Sequence, residues 1–167
     1  MNFHKEIIIN KPIAEVWEVL GPQFGEAHVW ASGVYHSNSF GEPVKQGATC
    51  SNRSCETSFG KITEDLRIMD NKNHILEYEV VEGFPFFVET AINNWSLTEM
   101  GDKTKVTMKT EVRTKGIFGA IMSPMMKMQM GGLLQNAIED FKIYLETGQI
   151  SDRKAKENKK KGLKQAA

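Results

Sequence analysis

Residues 87–97 have the spacing of a strand that carries polar side chains on its inner face. If Trp95 faces the interior, the two-residue period of a strand places Asn93 and Glu89 on the same face, with Phe87 at its entrance. A carboxylate at such depth loses hydration, which raises its pKa, so it could transfer a proton or accept a ligand hydroxyl. Glu89 is therefore the candidate catalytic residue.

A second interpretation of the same strand leaves Glu89 outside the protein interior. Val88 and Ile92 are apolar and compete for the inner face, and a β-bulge would then turn Glu89 toward solvent. The sequence leaves both interpretations open.

Further side chains are predicted to complete the wall of the same binding site. Cys50 and Asn52 share one face of an earlier strand, and tyrosine hydroxyls could point into the same space. Nine methionines, five of them within residues 122–130, supply either an adaptable binding surface or the filling of an irregular core. These additional candidate ligand contacts are Trp30, Tyr35, Cys50, Asn52, Tyr78, Met108, Met126 and Met130.

Metal and nucleophile motifs are absent from the sequence. The four histidines fall on separate predicted elements, and neither H-E-x-x-H nor C-x-x-C occurs. Cys50 and Cys55 are an odd number of residues apart, which puts them on opposite faces of a strand, so we expect no disulfide between them. A nucleophilic cysteine would need a partner base such as His36, which the spacing does not establish, so we expect inert buried thiols. No phosphate-binding loop and no dinucleotide-binding glycine motif is present. We therefore predict no metal and no cofactor.

The composition is typical of one folded domain. The 167 residues are 40% hydrophobic and 25% charged, which suffices for a single buried core. The 21 basic residues balance the 21 acidic residues, which argues against a nucleic-acid-binding protein. A signal peptide and an apolar run of about 18 residues are both absent, so we expect no membrane span and a cytoplasmic location.

The C-terminal residues differ from the rest in charge. Residues 151–167 have a net charge of +5, from seven basic and two acidic side chains, and they contain little large apolar surface to offset chain entropy. We expect a domain over residues 1–148 and a disordered basic tail over 149–167. The tail would make weak contact with an acidic partner or a membrane surface, or would merely act as a solubilising extension.

The predicted elements begin with a strand over residues 3–10 and two short helices. Pro12 opens the first helix, whose apolar residues recur every three or four positions, and the second helix covers residues 23–30. Six strands follow between residues 32 and 115. Three of them, over 62–68, 76–80 and 106–112, alternate apolar and polar side chains as half-buried antiparallel strands do.

The last predicted element is a long amphipathic helix. Ser123 caps it, Pro124 begins it and Gly148 follows its final residue, Thr147. Its continuous apolar stripe must be buried, and the inner face of the sheet is the only large surface available. The sheet must therefore curl around this helix.

This order of elements, together with several motifs, resembles the START-like, Bet v 1-like helix-grip superfamily, also labelled polyketide cyclase/dehydrase or SRPBCC. The resemblance covers about residues 3–147. The matching motifs are Glu6 to Trp17, Trp30, Gly47-Ala48-Thr49, Trp95-Ser96-Leu97 and Gly101 to Thr104. It implies an α+β helix-grip fold, in which a seven-stranded curved antiparallel sheet surrounds a long C-terminal helix in the order β-α-α-β6-α. Cys50 occupies a place where the family often has Arg, so no anion-binding role is transferred to it.

The helix-grip fold implies an internal cavity, because one helical stripe cannot fill a concave face several strands wide. An empty void of about 400 Å³ would cost roughly 10 kcal/mol, so we expect water, large side chains or an apolar ligand inside it. Our preferred prediction is a protein, monomeric or dimeric, that binds a small hydrophobic molecule. The alternatives implied by the resemblance are a cyclase/dehydratase-like enzyme that uses Glu89 and a chaperone-activator-like interaction domain.

Overall fold

The computed structural model describes residues 1–162, which form seven strands, three α-helices and one short 3₁₀ helix. The N-terminal part consists of β1 (Asn2–Ile9), α1 (Ile13–Leu20) and the 3₁₀ helix (Phe24–Val29). The remaining elements are β2 (Val34–Phe40), β3 (Asn52–Thr57), β4 (Gly60–Asp70), β5 (Ile75–Glu82), β6 (Val88–Met100), β7 (Lys103–Thr114), α2 (Gly116–Thr147) and α3 (Asp152–Lys161).

The seven strands form one antiparallel sheet in the order β1-β7-β6-β5-β4-β3-β2. Strands β2 to β6 each pair with the next strand in sequence, and β1 pairs with β7, where Ile7 lies opposite Val106. The alternation predicted for β7 is present, since Val106, Met108 and Val112 are buried. The predicted α+β helix-grip fold is confirmed.

Helix α2 lies along the β1 edge of the sheet. Lys142 Nζ donates to the backbone carbonyl of Ile8 over 2.6 Å, and Glu146 Oε1 accepts from the backbone N–H of Asn10 over 2.7 Å. A helix held at one edge cannot also cover the strands at the opposite side of the sheet. This position leaves open space over β3, β4 and β5.

An aromatic cluster joins α2 to the sheet and to the 3₁₀ helix. Phe141 of α2 is fully buried, and its ring centroid lies 4.8 Å from that of Trp30 and 5.7 Å from that of Trp95. Edge and tilted contacts of this kind add to the stability that the buried area itself provides. Trp30 and Trp95 of this cluster form part of the wall of the open space.

The structure corrects the predicted start of the long helix. Helix α2 begins at Gly116 and contains Pro124, rather than beginning at that proline. Proline removes one N–H from the helix, and the carbonyl of Ala120, four residues earlier, is at an exposed position where water can hydrate it. The N-terminal turns of α2, from Ile117 to Met128, carry exposed large apolar side chains, namely Ile117, Phe118, Ile121, Met125 and Met128. Within residues 1–162, no helix is both long and apolar enough to span a membrane.

The structure also corrects the predicted disordered tail. Residues 152–161 form α3, which packs onto the domain that we expected to end at residue 148, while residues 163–167 lie outside the described residues. Ser151 caps α3 by accepting from the backbone N–H of Lys154. The composition argument counted apolar side chains only, whereas this helix docks through hydrogen bonds and through the aliphatic stem of a buried lysine.

Three side chains connect α3 and α2 to the start of β2. Lys154 Nζ donates to the carbonyl of Val34 over 2.6 Å, and Glu157 accepts from the backbone N–H of Gly33 over 3.0 Å. The fully buried Asp140 accepts from the backbone N–H of Ser32 over 2.8 Å and from Arg153 over 3.0 Å. The C-terminal helix is therefore part of the folded domain.

Lys154→Met is expected to lower the free energy of unfolding by about 1–3 kcal/mol, because it leaves the buried carbonyl of Val34 without its donor. Lys159→Met, on the exposed side of the same helix, is the matched control and should change it by less than about 0.5 kcal/mol. Urea denaturation followed by circular dichroism measures both. Equal effects of the two substitutions would contradict a docked α3.

Candidate functional site

A cavity of about 200 Å³ lies between α2, the 3₁₀ helix and the inner face of β3 to β7. Most of its wall is apolar. Helix α2 contributes four of the wall residues, at helical spacing: Met130, Leu133, Leu134 and Ala137. The sheet and the 3₁₀ helix contribute further apolar residues, including Phe24, Ala27, Trp30, Cys55, Ile62, Leu76, Tyr78, Val80, Ala91, Trp95 and Met108.

A buried ion pair interrupts this apolar wall. Arg53 of β3 and Glu64 of β4 are opposite each other in the sheet, and each is 5% exposed. Arg53 donates to Glu64 Oε2 from Nε over 2.7 Å and approaches the same oxygen with Nη2 at 2.6 Å. Removing either partner would leave an uncompensated charge in an apolar wall.

The remaining contacts of Arg53 hold its guanidinium in place. Nη1 donates to the backbone carbonyl of Phe24 over 2.5 Å, and the guanidinium carbon lies 4.1 Å from the centre of the Phe24 ring and 5.0 Å from that of Tyr78. Burial is the largest single effect and would lower the pKa of Arg53, but the charge and hydrogen bond of Glu64, together with Cys55 and Tyr78, outweigh it and raise the pKa. Arg53 is therefore a fixed cation whose three nitrogens are all engaged.

Two neutral acids lie beside the ion pair. The Cys55 thiol donates to Glu64 Oε2 over 3.3 Å, and burial, together with the Glu64 charge, raises its pKa to about 12. Burial likewise raises the pKa of Tyr78 to about 12, with a further contribution from Glu64. Both groups stay protonated at neutral pH and are poor nucleophiles in this state.

Three polar atoms of wall residues are buried and have no hydrogen-bond partner within the described residues. They are Asn93 Oδ1 on β6, Thr110 Oγ1 on β7 and Ser32 Oγ just before β2. Asn93 and Thr110 are direct partners in the sheet, so their side chains lie side by side on one face. An unsatisfied polar group inside a protein is costly, which makes these atoms candidates for ligand contact.

The structure brings six of the sequence-predicted site residues together in the cavity wall. Trp30 closes the end formed by the 3₁₀ helix, and Met130 belongs to α2. The other four lie on the inner face of the sheet: Tyr78, Asn93, Trp95 and Met108.

Glu89, the predicted catalytic residue, lies outside the cavity. The pairing of β6 with β7 shifts its register between Val88 and Thr90, and this β-bulge turns the Glu89 side chain to solvent. The structure therefore corresponds to the second interpretation of the sequence. After the bulge, every second residue of β6 lines the cavity, from Ala91 through Asn93 to Trp95.

The other five predicted contacts also lie outside the cavity wall. Tyr35 is covered by α3, with Lys161 Nζ 4.4 Å from its ring centre. Phe87 packs against Phe86, with ring centroids 5.5 Å apart. Met126 lies on α2 but does not line the cavity. Cys50 is buried in the core but precedes β3, which begins at Asn52, so the assumed alternation does not extend across both residues. Asn52 faces away from the cavity, where its amide binds Asp65.

Sequence reasoning missed the charged part of the wall. The signal for Glu64 was present, since Ile62 and Leu66 flank it at two-residue spacing on the inner face of a predicted strand. Thr110 is likewise flanked at two-residue spacing by Met108 and Val112 on the inner face of β7. Arg53 had no such signal, because its burial depends on a partner from another strand.

The described residues contain no group of three histidine, cysteine, aspartate or glutamate side chains that could hold a metal ion. The chemistry available at the cavity wall is therefore hydrogen bonding, apolar contact and the paired charges of Arg53 and Glu64.

A family model described as polyketide cyclase / dehydrase and lipid transport matches residues 1–146 of the chain. No curated protein matches this chain. The family match covers β1 through nearly all of α2 and thus includes every sheet and α2 residue of the cavity wall.

Several solved structures have the same fold at low sequence identity. A START superfamily protein from Mycobacterium smegmatis is 11% identical with a TM-score of 0.71, covering 89% of this chain and 99% of its own. Norcoclaurine synthase from Thalictrum flavum is 18% identical with a TM-score of 0.67, covering 87% of each chain. A protein from Thermus thermophilus is 14% identical with a TM-score of 0.70, covering 87% of this chain and 97% of its own. These similarities support the fold and carry no information on the ligand.

Glu64→Gln is expected to lower the free energy of unfolding by about 3–5 kcal/mol, because it leaves the buried Arg53 charge without a counter-charge. Arg53→Met should cost a similar amount, and the double variant Arg53→Met/Glu64→Gln should cost less than the sum of the single changes. Urea denaturation of the four proteins gives the coupling energy.

The matched control for this cycle is an exposed ion pair on the same sheet. Arg67 and Glu79 approach to 2.7 Å on the solvent side, and Glu79→Gln should cost less than about 1 kcal/mol. An effect of Glu64→Gln as small as that of Glu79→Gln would contradict the importance of the buried pair.

The raised pKa of Cys55 predicts that its thiol ionises only near pH 12 in the folded protein, against about 9 for an unshifted thiol. The thiol keeps its proton because burial disfavours the thiolate. The measurement is thiolate absorbance during a pH titration of Cys50→Ser, with Cys50→Ser/Cys55→Ser as the blank. In urea the midpoint should return to about 9; a folded-state midpoint near that value would disprove the shift.

Proposed function

Because the chain belongs to the polyketide cyclase / dehydrase and lipid transport family, we propose that it binds a small hydrophobic molecule in the cavity between α2 and the sheet. The molecule is of lipid, polyketide or isoprenoid-like character. Five of the six predicted contacts in the wall, all except Asn93, are part of the largely apolar surface that would hold it.

The observation that carries this proposal is the apolar cavity itself. The cavity is partly open to solvent, so water reaches its apolar wall unless a ligand covers it, and this exposure costs free energy in proportion to the apolar area. Water is a poor occupant where most of the wall is apolar, and an engineered apolar cavity of about 150 Å³ stays dry and binds benzene. A hydrophobic ligand relieves the cost and gains contacts with the aromatic rings.

A cyclase/dehydratase-like reaction is the second candidate function, and it would use Glu64 rather than Glu89. Glu64 is the carboxylate that lines the cavity, and its contacts with Arg53 and Cys55 all use Oε2. Its Oε1 is thereby left to face a bound molecule. We favour binding alone because the ion pair already gives Glu64 a structural role.

The first experiment is native mass spectrometry of the gently purified protein. We expect a co-purifying apolar compound that is released on denaturation. A dehydratase would instead give a second small molecule that is lighter than the first by the mass of one water. The wild-type protein should form this product and Glu64→Gln should not.

A direct binding assay uses the neutral fluorescent probe N-phenyl-α-naphthylamine. Ala137 lines the cavity, and Ala137→Phe should weaken probe binding at least about tenfold because the added ring fills the space that the probe needs. Ala120→Phe, at an exposed position of the same helix, is the matched control and should bind within about twofold of the wild type. Equal probe affinity of the two variants, with no co-purifying compound, would refute the proposal.

A further inference from the structure

We propose that the ligand of this cavity is uncharged and carries a hydroxyl group, which binds between Asn93 and Thr110. This inference rests on the proposed binding function and adds the chemical class of the ligand. The hydroxyl would donate its proton to Asn93 Oδ1 and accept a hydrogen bond from Thr110 Oγ1.

Asn93 Oδ1 and Thr110 Oγ1 form a polar pair that the protein itself leaves unsatisfied. Both atoms are buried without a hydrogen-bond partner within residues 1–162, and both residues line the cavity. They are direct partners in the β6–β7 register, and Thr110 is only 6% exposed. The two residues therefore lie side by side in the same part of the cavity wall, with their unpaired atoms buried in it.

The surroundings of this pair make its polarity costly. Its neighbours along the two strands on the inner face are Ala91 and Trp95 on one strand and Met108 and Val112 on the other, all of them apolar and buried. A buried polar atom without a partner destabilises the fold, whereas valine or leucine at the same positions would avoid this cost. A ligand that completes the hydrogen bonds recovers this cost.

The hydrogen-bonding capacity of the pair selects a hydroxyl. Asn93 Oδ1 only accepts, while the Thr110 hydroxyl both donates and accepts. A ligand ether or ketone could accept from Thr110 but would leave Asn93 Oδ1 unsatisfied. A ligand hydroxyl satisfies both atoms at once.

The charges of the wall select an uncharged ligand. Arg53 and Glu64 are the charged residues of the wall, and they neutralise each other. Each nitrogen of Arg53 is already engaged, by Glu64 or by the carbonyl of Phe24. A ligand carboxylate would enter an apolar space with no free cation to meet it, at a cost of several kcal/mol.

The experiment compares three small aromatic probes of the same ring system: naphthalene, β-naphthol and β-naphthoate. Isothermal titration calorimetry at neutral pH gives their affinities for the wild-type protein. We expect β-naphthol to bind about tenfold more tightly than naphthalene, as two net hydrogen bonds allow, and β-naphthoate to bind at least about a hundredfold more weakly than β-naphthol.

Thr110→Val tests the pair directly. It should reduce the preference for β-naphthol over naphthalene about fivefold, leave naphthalene affinity within about twofold and raise the melting temperature of the unliganded protein. Thr90→Val is the matched control, because Thr90 Oγ1 is also buried and unpaired but does not line the cavity. It should raise the melting temperature without changing the preference.

A measurement on the unaltered protein complements the variants. In a ¹H–¹⁵N NMR spectrum, the side-chain amide signals of Asn93 should shift on adding β-naphthol and not on adding naphthalene. Asn93→Leu assigns these signals by their loss.

Two results would overturn the inference while leaving the proposed function intact. One is equal affinity for naphthalene and β-naphthol, which would mean that water already satisfies the pair. The other is an unchanged preference in Thr110→Val. Failure of all three probes to bind would contradict the proposed binding function itself.

Discussion

The width of the sheet relative to the helix is the constraint on which the rest of this structure depends. Seven strands at their usual spacing span about 29 Å, whereas one helix with its side chains is about 10–12 Å wide. Helix α2 is bound to β1 by Lys142 and Glu146, so its apolar stripe covers only one side of the inner face. The 3₁₀ helix and α1 close part of the remainder, and the cavity is the volume that no element fills. Its wall combines apolar side chains with one neutralised ion pair and a few unpaired polar atoms, a composition that costs the fold stability.

Most of the fold could be predicted from the sequence, because it depends on local periodicity. The two-residue alternation of β4, β5 and β7 and the helical stripe of α2 are direct consequences of one buried face. The start of α2 and the packing of α3 could not be read in this way. Both depend on groups that composition treats as unfavourable, a proline inside a helix and a lysine in a buried position. Whether the fold tolerates these two residues depends on tertiary structure. The carbonyl of Ala120 is at an exposed position, and the carbonyl of Val34 accepts a hydrogen bond from Lys154.

The candidate site was predictable only in part, for a related reason. Trp95, Asn93, Tyr78 and Met108 lie on strands whose inner face follows from their own sequences. Glu89 follows the same rule until a single-residue bulge at the start of β6 reverses its direction, and no residue type there signals the bulge uniquely. Arg53 and Glu64 form the opposite case. Each looks like a surface residue alone, and only pairing across β3 and β4 makes the burial of both acceptable.

The hydrogen bonds that hold the C-terminal helix have a consequence for the cavity. Ser32, Gly33 and Val34 line the cavity, and their backbone groups are bonded to Asp140, Glu157 and Lys154. The same three residues thus serve as a wall on one side and as an attachment point on the other. Since coupling between two sites is reciprocal at equilibrium, an occupant that stabilised this segment would also favour the docked position of α3. Digestion by a carboxypeptidase would therefore proceed more slowly past Lys161 in the filled protein than in the empty one.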